Sequence, residues 1–402
     1  MESMSTKYDY TIIGAGIIGL AIAYQLKKSQ PQAKVLIVDK ERDIAEHASG
    51  RNSGVLHAGF YYTADSLKAR FTVEGNRTMR KFCEKKNLKI NACGKLVVAK
   101  NETELKQLFE LEQRGKANGS NVKILDEGQA AAIEPNIKTY KKALYSPDTA
   151  TIDPREVCLA LKDDLSNSGA CFNFQTKYLG KKGDYIQTTQ GDFQASKIIN
   201  CAGLYADCVA HDFGFGKKYT LIPFKGLYLE YTKNKTDIKT NIYPVPDLRN
   251  PFLGVHFTKT VTGTIKIGPT ATPAFWRENY KGMTRFDFSE LLSVSFYESK
   301  LFFLNAFGFR DIAFSEIRKY NKKYFIALAS KLVKHIDPQG FGDFTKPGIR
   351  AQLLDKEKLS LVRDFVVEGD NRSIHILNAV SPAFTCAFPF AAYVVKNYIL
   401  PN

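Results

Sequence analysis

"YDYTIIGAGIIGLAIAYQLKKSQPQAKVLIVDKE", residues 8–41, decides the fold. Tyr10 to Ile13 is apolar and rich in strand formers. Gly14, Gly16 and Gly19 follow, and "IIGLAIAYQLKKS" then carries apolar residues at helical spacing. "KVLIVDK" is a continuous apolar run, the mark of a strand buried on both faces of a parallel sheet. It ends at Asp39, about twenty residues beyond Gly19.

Strand, glycines, helix, strand and acid in this order form the Rossmann-type dinucleotide fingerprint. Gly14 permits the tight turn, Gly16 lets the backbone approach a pyrophosphate, and Gly19 lets helix and strand pack closely. The helix N-terminus offers amide donors and partial positive charge to phosphates. Asp39, with Lys40 beside it, is placed to meet the adenosine ribose hydroxyls.

Working outward, residues 68–86 read as helix, "KLVVAK" (95–100) as a short strand, and "ETELKQLFELEQRGKANG" as an amphipathic helix ending at Gly119. "TIDPREVCLALKDDLSNSG" predicts another helix, with Asp153 as cap, Pro154 in the first turn and Gly169 beyond the end. "KIINCAG" ends a second buried strand at glycine, and residues 218–270 are β-rich. Residues 285–340 turn helical, aromatic and basic, and the chain closes with strand, turn and apolar helix. The pattern predicts an α/β protein: a Rossmann-type domain with a parallel central sheet, and an inserted β-rich domain of mixed sheet with helices. The first comprises residues 1–85, 145–212 and 346–402. The second comprises 86–144 and 213–345, including the basic aromatic segment near 285–340.

Composition narrows the class. A 402-residue chain that is 44% hydrophobic and 24% charged has the profile of folded domains with sizeable cores. Its net charge of +16 admits an acidic substrate or an anionic membrane surface. The basic residues are spread along the chain with no finger, RNP or helix-turn-helix pattern, which argues against nucleic acid. Seven scattered cysteines without a CxxC pair argue for a reducing compartment, and six histidines without ligand spacing predict no metal. No apolar run is long enough to span a bilayer, and the first strand begins with no signal or transit segment before it. The expected location is cytoplasmic, with a peripheral place on the inner face of the cytoplasmic membrane as the alternative.

Residues 47–62, "HASGRNSGVLHAGFYY", are unusually dense in glycine, polar and aromatic residues. Together with Gly14 to Gly19, "NCAGLYAD" (200–207), "FLGVHFT" (252–258), "GIRAQ" (348–352) and "SPAFT" (381–385), they give the chain a likeness in order and content. It resembles the D-amino-acid-oxidase-like FAD enzymes over nearly its whole length, and among them the L-2-hydroxyglutarate dehydrogenases and oxidases. The resemblance implies non-covalent FAD and a small dicarboxylic hydroxy acid oxidised at C2, with electrons passed to quinone or oxygen. It also implies that Ser49, Gly50, Arg51, Asn52, Ser53 and Gly54 run along the flavin and pyrophosphate. Ala202 and Gly203 then pack near the adenine-diphosphate half. Ser381, Pro382, Ala383 and Thr385 begin the helix that faces the flavin pyrimidine edge, and Phe384 departs from the small residues usual in such a turn.

For the substrate, the resemblance places Arg350 on a carboxylate, where its planar fork makes two parallel bonds. Lys225 is the candidate cation for the second carboxylate, departing from the arginine expected there. Tyr62 and Tyr243 are candidate hydroxyl donors. His256 and His57 compete for the role of base, since imidazole titrates near working pH; His256 is the preferred one. The basic aromatic stretch 295–335 suits either a bilayer surface, where quinone is met, or a helical lid whose aromatics face the core. A glycerol-3-phosphate dehydrogenase-like flavoprotein and a non-catalytic FAD-binding factor are the alternative readings.

Overall fold

A computed structural model describes residues 7–183, 185–233, 238–246 and 254–401, so Phe252 and Leu253 of "FLGVHFT" lie outside the described residues. The chain forms two compact units. Unit 1 comprises residues 1–51, 154–222 and 350–402; unit 2 comprises 52–153 and 223–349.

Unit 1 is organised by apolar strands that bury both faces. Tyr8–Ile13 lies between Val35–Val38 and Gly191–Asn200, parallel to both, with Ile13 opposite Val38 on one side and Asn200 on the other. Cys171–Asn173 and Ser373–Asn378 extend the parallel sheet outward. Antiparallel strands Tyr178–Lys182 and Tyr185–Thr188 continue it at one edge, and Val366–Gly369 pairs antiparallel with Ser373–Asn378.

The helix Ile17–Ser29 follows the first strand because the glycine turn redirects the chain and its apolar face has a sheet to cover. Leu20, Ile22 and Leu26 are wholly buried, each contributing about 1.5–3 kcal/mol by area. The helix Pro154–Asn167 starts at the predicted proline. It ends in a Schellman motif: Gly169, at φ +79°, donates to Ser166 O at 3.0 Å while Ala170 N donates to Leu165 O at 2.9 Å.

Unit 2 is built on an eight-stranded sheet. Its order is Phe341–Phe344, Leu229–Tyr231, Ile265–Gly268, His256–Lys259, Asn241–Pro244, Lys95–Val98, Lys142–Ser146, Lys123–Asp126. Only the pair Asn241–Pro244 with Lys95–Val98 is parallel. Side chains alternate between the faces. Leu96, Val98, Ile242 and Phe257 join a core with Phe325, Ile326 and Ala329 of the helix Lys322–Ser330. Val97 and Tyr243 join another, with Phe60 and with Leu105, Leu108 and Leu111 of the helix Glu102–Ala117. By the same alternation Lys95 and His256 fall on the face of Val97 and Tyr243.

The sequence reading assigned residues 52–85, 145–153 and 346–349 to the FAD-binding domain and 213–222 to the substrate domain; the structure puts the first three in unit 2 and the last in unit 1. Hydrogen bonding ties the first two of these to unit 2. Asn118 donates to Gly59 O and Tyr62 O, Ser120 donates to Ala58 O, and Thr151, on the strand Ala150–Ile152 that pairs with Val55–Leu56, donates to Lys259 O.

Candidate functional site

In unit 1 the C-terminal ends of two parallel strands open side by side, at Ile13 and Asn200. Gly14 turns there with φ +111°, and a Cβ on it would lie 2.4 Å from the Cys201 carbonyl oxygen. A Cβ on Gly19 would lie 2.0 Å from Gly14 O, so neither position accepts a side chain. Gly16 begins the helix Ile17–Ser29 without a side-chain cap, and the first-turn amides have no intrahelical acceptor. One of them, Ile17 N, donates to Ser49 Oγ at 2.9 Å.

Asp39 stands at the end of its strand, where the sequence placed it. Its carboxylate accepts from Ala15 N at 2.7 Å and from Glu41 N at 2.9 Å. These bonds hold the carboxylate rigid, and each oxygen keeps a further lone pair for a ribose hydroxyl. Lys40 instead binds Glu41 at 2.6 Å and approaches His47 Nε2 at 3.2 Å, its ammonium 5.5 Å from the Tyr205 ring centre. Gly50 packs so that a Cβ would lie 2.2 Å from Ala45 O, and Arg51 Nε donates to Glu46 O at 2.7 Å. Ala202 N donates to the Asn200 side chain at 3.1 Å, and Gly203, at φ +56°, has open space around it.

The "SPAFT" turn opens the helix Ala383–Val394 after a cis Ser381–Pro382 bond; Pro382 gives no side-chain cap, and Ala383 and Thr385 are buried. Arg350 is half-buried on the strand Gly348–Asp355. Helix starts with no capping side chain of their own, and the two glycines that exclude a Cβ, fit the phosphates of a dinucleotide such as FAD, with Ser49 already holding Ile17 N.

The run after Arg51 belongs to unit 2. Asn52 accepts from Gly54 N at 2.9 Å, so these residues make a local turn, with Ser53 half-buried within it. Gly59 has φ +93°, and a Cβ there would lie 2.8 Å from Val73 Cγ2; its role is close helix packing.

Beyond that turn lies the densest chemistry of unit 2. His57 and His256 are both buried. The His57 imidazole is held well below its usual pKa by burial, then by the charge of Lys95, then by His256. His256 stacks on Tyr243 with ring centres 3.7 Å apart, and its Nδ1 lies 2.8 Å from Gly254 O. Burial raises the Tyr243 and Tyr61 phenols, so both stay neutral.

Lys95, which sequence reasoning passed over, is wholly buried in this cluster. Its ammonium lies 4.0 Å from the Tyr243 ring centre, 5.3 Å from Tyr61 and 5.7 Å from Phe60. It has no hydrogen-bond partner among the described residues, and burial brings its pKa down to about 7. The signal was present: a lysine opening the run Leu-Val-Val, on the inward side of an alternating strand.

The other sequence candidates sit differently. Lys225 is half-buried and donates to Asn279 Oδ1 at 3.1 Å, with burial lowering its pKa. Tyr62 is half-buried, with Lys68 Nζ 6.0 Å from its ring centre; it is Tyr61 whose ring flanks Lys95.

The chain is similar to known proteins over nearly its whole length. The chain is 33% identical to the L-2-hydroxyglutarate dehydrogenase of Escherichia coli (strain K12), with 97% of this chain and 93% of that protein covered. Against the mitochondrial L-2-hydroxyglutarate dehydrogenase of Caenorhabditis elegans the identity is 35%, covering 98% and 93%. Against that of Homo sapiens it is 33%, covering 98% and 89%. Among solved structures, the FAD-bound L-alpha-glycerophosphate oxidase of Mycoplasma pneumoniae superposes with a TM-score of 0.76 at 23% identity, covering 99% of this chain and 97% of that one. Glycine oxidase from Geobacillus kaustophilus gives 0.69 at 18%, covering 97% and 93%. These two likenesses speak for the fold. The model of the FAD dependent oxidoreductase family, DAO, matches residues 9–396, and the chain belongs to that family.

Proposed function

We propose that the protein oxidises L-2-hydroxyglutarate to 2-oxoglutarate with FAD as its cofactor. The observation that carries this reading is identity of 33–35% with L-2-hydroxyglutarate dehydrogenases, sustained over 97–98% of the chain. FAD, when bound, supplies the two-electron acceptor for the hydrogen leaving C2. In unit 1, Gly14, Gly16, Gly19, Asp39, Ser49 and Gly203 would hold its adenosine diphosphate half, and the helix start at Ser381 to Thr385 its ring system.

The chain itself must orient the substrate and take the hydroxyl proton. Hydrogen bonding to the Gly254 carbonyl requires a proton on His256 Nδ1 and leaves the lone pair on Nε2. Stacking on Tyr243 fixes the ring plane, so His256 is a positioned base. His57, kept neutral by burial and by Lys95, lines the same cluster. Arg350 takes the C1 carboxylate through its planar fork. Tyr243 and Tyr62 remain candidate hydroxyl donors.

Anaerobic titration tests the reading. L-2-hydroxyglutarate should bleach the long-wavelength flavin absorbance, and D-2-hydroxyglutarate should not. His256→Asn should slow the bleaching about 10²–10⁴-fold with flavin content retained. Bleaching by glycerol 3-phosphate instead would favour the glycerophosphate reading, and bleaching by no hydroxy acid would favour a non-catalytic FAD-binding factor. A larger loss in His57→Asn than in His256→Asn would move the base to His57.

The surface of unit 2 supports a second inference. Phe288, Leu292 and Phe296 form an exposed stripe on the helix Phe288–Phe303, and Phe303, Leu304, Phe314 and Ile317 are exposed beside it in sequence. Phe296 is 62% exposed and Phe303 76%, which favours the surface reading over a lid with inward aromatics, while others, such as Phe309 and Phe325, face the core. Lys281, Lys300, Arg318 and Lys323 are exposed in the same region. No helix among the described residues is long and apolar enough to cross a membrane. Apolar rings with exposed cations suit an anionic bilayer surface, where a quinone would accept the electrons. Lys300→Glu with Lys323→Glu should weaken co-sedimentation with anionic liposomes; unchanged sedimentation would dismiss the membrane.

A further inference from the structure

We propose that Lys95 is the residue that receives the distal, C5 carboxylate of the substrate and sets the selectivity for dicarboxylic hydroxy acids. The inference rests on the L-2-hydroxyglutarate reading and assigns a subsite within it.

The argument starts from cost. A lysine normally keeps its ammonium in water by extending its stem outward. Lys95 is 0% exposed, and its Nζ has no hydrogen-bond partner among the described residues. A buried cation of this kind is expensive unless an anion meets it. The nearby Cys93 is no counter-ion, because burial raises its thiol pKa and keeps it neutral. Three aromatic rings, of Tyr243, Tyr61 and Phe60, stand 4.0–5.7 Å from the ammonium. Their faces attract a cation, by about 0.5–2 kcal/mol each, but provide no lone pair of the kind a carboxylate provides. Methionine would fill the same space with no charge to desolvate. The position therefore makes sense for an anion that arrives with a ligand.

The surroundings indicate which anion. The aromatic wall around Lys95 is apolar and suits the two methylenes, C3 and C4, that separate the ends of the substrate. Tyr243 joins the wall to the proposed base, since its ring lies against Lys95 on one hand and stacks on His256 on the other. A substrate with its C2 hydroxyl at His256 would thus turn its carbon chain along Tyr243. The far carboxylate is left for a single ammonium, a point charge that needs no planar match. Lys225, the candidate from sequence, already donates to Asn279 and is only half-buried.

Lys95→Met in the FAD-loaded protein tests the assignment. For L-2-hydroxyglutarate kcat/KM should fall about 10²-fold or more, mainly through KM, because breaking a buried charge pair leaves the carboxylate unpaired. For L-2-hydroxypentanoate, which lacks the far carboxylate, the loss should stay under about tenfold, so the selectivity ratio collapses. Binding gives an independent readout: 2-oxoglutarate, titrated calorimetrically into the oxidised holoenzyme, should bind about 10²-fold more weakly to the variant. The melting temperature of the substrate-free variant should hold or rise, since a buried amine with no hydrogen-bond partner among the described residues has been removed. Equal losses with both substrates would make Lys95 part of the C1 or base machinery and overturn the proposal. Unchanged KM and 2-oxoglutarate affinity, or a drop in melting temperature with both activities lost together, would also overturn it. If the wild-type flavin is not bleached by L-2-hydroxyglutarate, the underlying functional reading fails instead.

Discussion

At the glycine turn of unit 1, polar groups are matched by the protein itself: Ala15 N and Glu41 N bond the Asp39 carboxylate, Ile17 N bonds Ser49, and Ala202 N bonds Asn200. In the aromatic cluster of unit 2 the opposite holds. Lys95 Nζ and the Tyr61 hydroxyl are buried with no hydrogen-bond partner among the described residues. A cofactor held for many turnovers is served by a rigid backbone cradle whose own groups are already in place. A substrate that arrives and departs is served by groups that lack a partner until it binds, and the unmet demand becomes selectivity. The difference teaches where to strike each unit: by steric exclusion in the first, by charge in the second.

The largest effect should come from the cradle. Gly19→Ala places a methyl 2.0 Å from the Gly14 carbonyl oxygen, a separation that backbone atoms relieve only by shifting the helix Ile17–Ser29 off its strand. Because that helix buries Leu20, Ile22 and Leu26, the shift disturbs core and phosphate site together. The purified variant should hold less than about a tenth of the wild-type flavin, read from the ratio of flavin to protein absorbance. Full flavin occupancy would mean that the cradle is softer than the contrast requires.

The same contrast explains what could be read from the sequence. The cradle is local: residues 8–41 encode strand, turn, helix, strand and acid in order, and each backbone demand falls on a glycine or an aspartate whose spacing carries the meaning. The helix ends at Pro154 and Gly169 were legible for the same reason. The cluster in unit 2 is assembled from the segment at 57–61 and three separate strands, starting at Lys95, Asn241 and His256. The parallel pairing of Asn241–Pro244 with Lys95–Val98 brings Tyr243 beside Val97, two residues from Lys95 and on its face. No linear spacing announces that pairing. His57 and His256 were accessible through residue type and the family likeness. Lys95 looked like an ordinary strand-edge cation, and Tyr61 was hidden by its neighbour Tyr62. The unit boundary falls after Arg51, inside a polar run 47–62 that reads as continuous, because the side chains of Asn118 and Ser120 bind the backbone at Ala58, Gly59 and Tyr62.

Glu298 sharpens the comparison at the smallest scale, as a buried ionisable group of unit 2 outside the aromatic cluster. It lies on the inner face of the helix whose outer face carries Phe288, Leu292 and Phe296, and its Oε1 has no hydrogen-bond partner among the described residues. Burial alone pushes its pKa up to about 8, from an ordinary value of 4.5. A folded-state pKa above the unfolded value means that the protonated side chain is favoured in the fold. That contribution is complete below pH 4.5 and is lost as the pH climbs through about 8. Glu298→Gln keeps the shape and removes the titration, so the variant should match the wild type near pH 5. By pH 8 to 9 it should melt a few degrees higher, since each unit of such a shift is worth about 1.4 kcal/mol at most. Parallel melting curves across that range would show that Glu298 meets a partner or water when charged. Among the described residues of unit 2, partnerless burial of an ionisable side chain would then be confined to the cluster around Lys95, the pattern expected if it is reserved for a ligand.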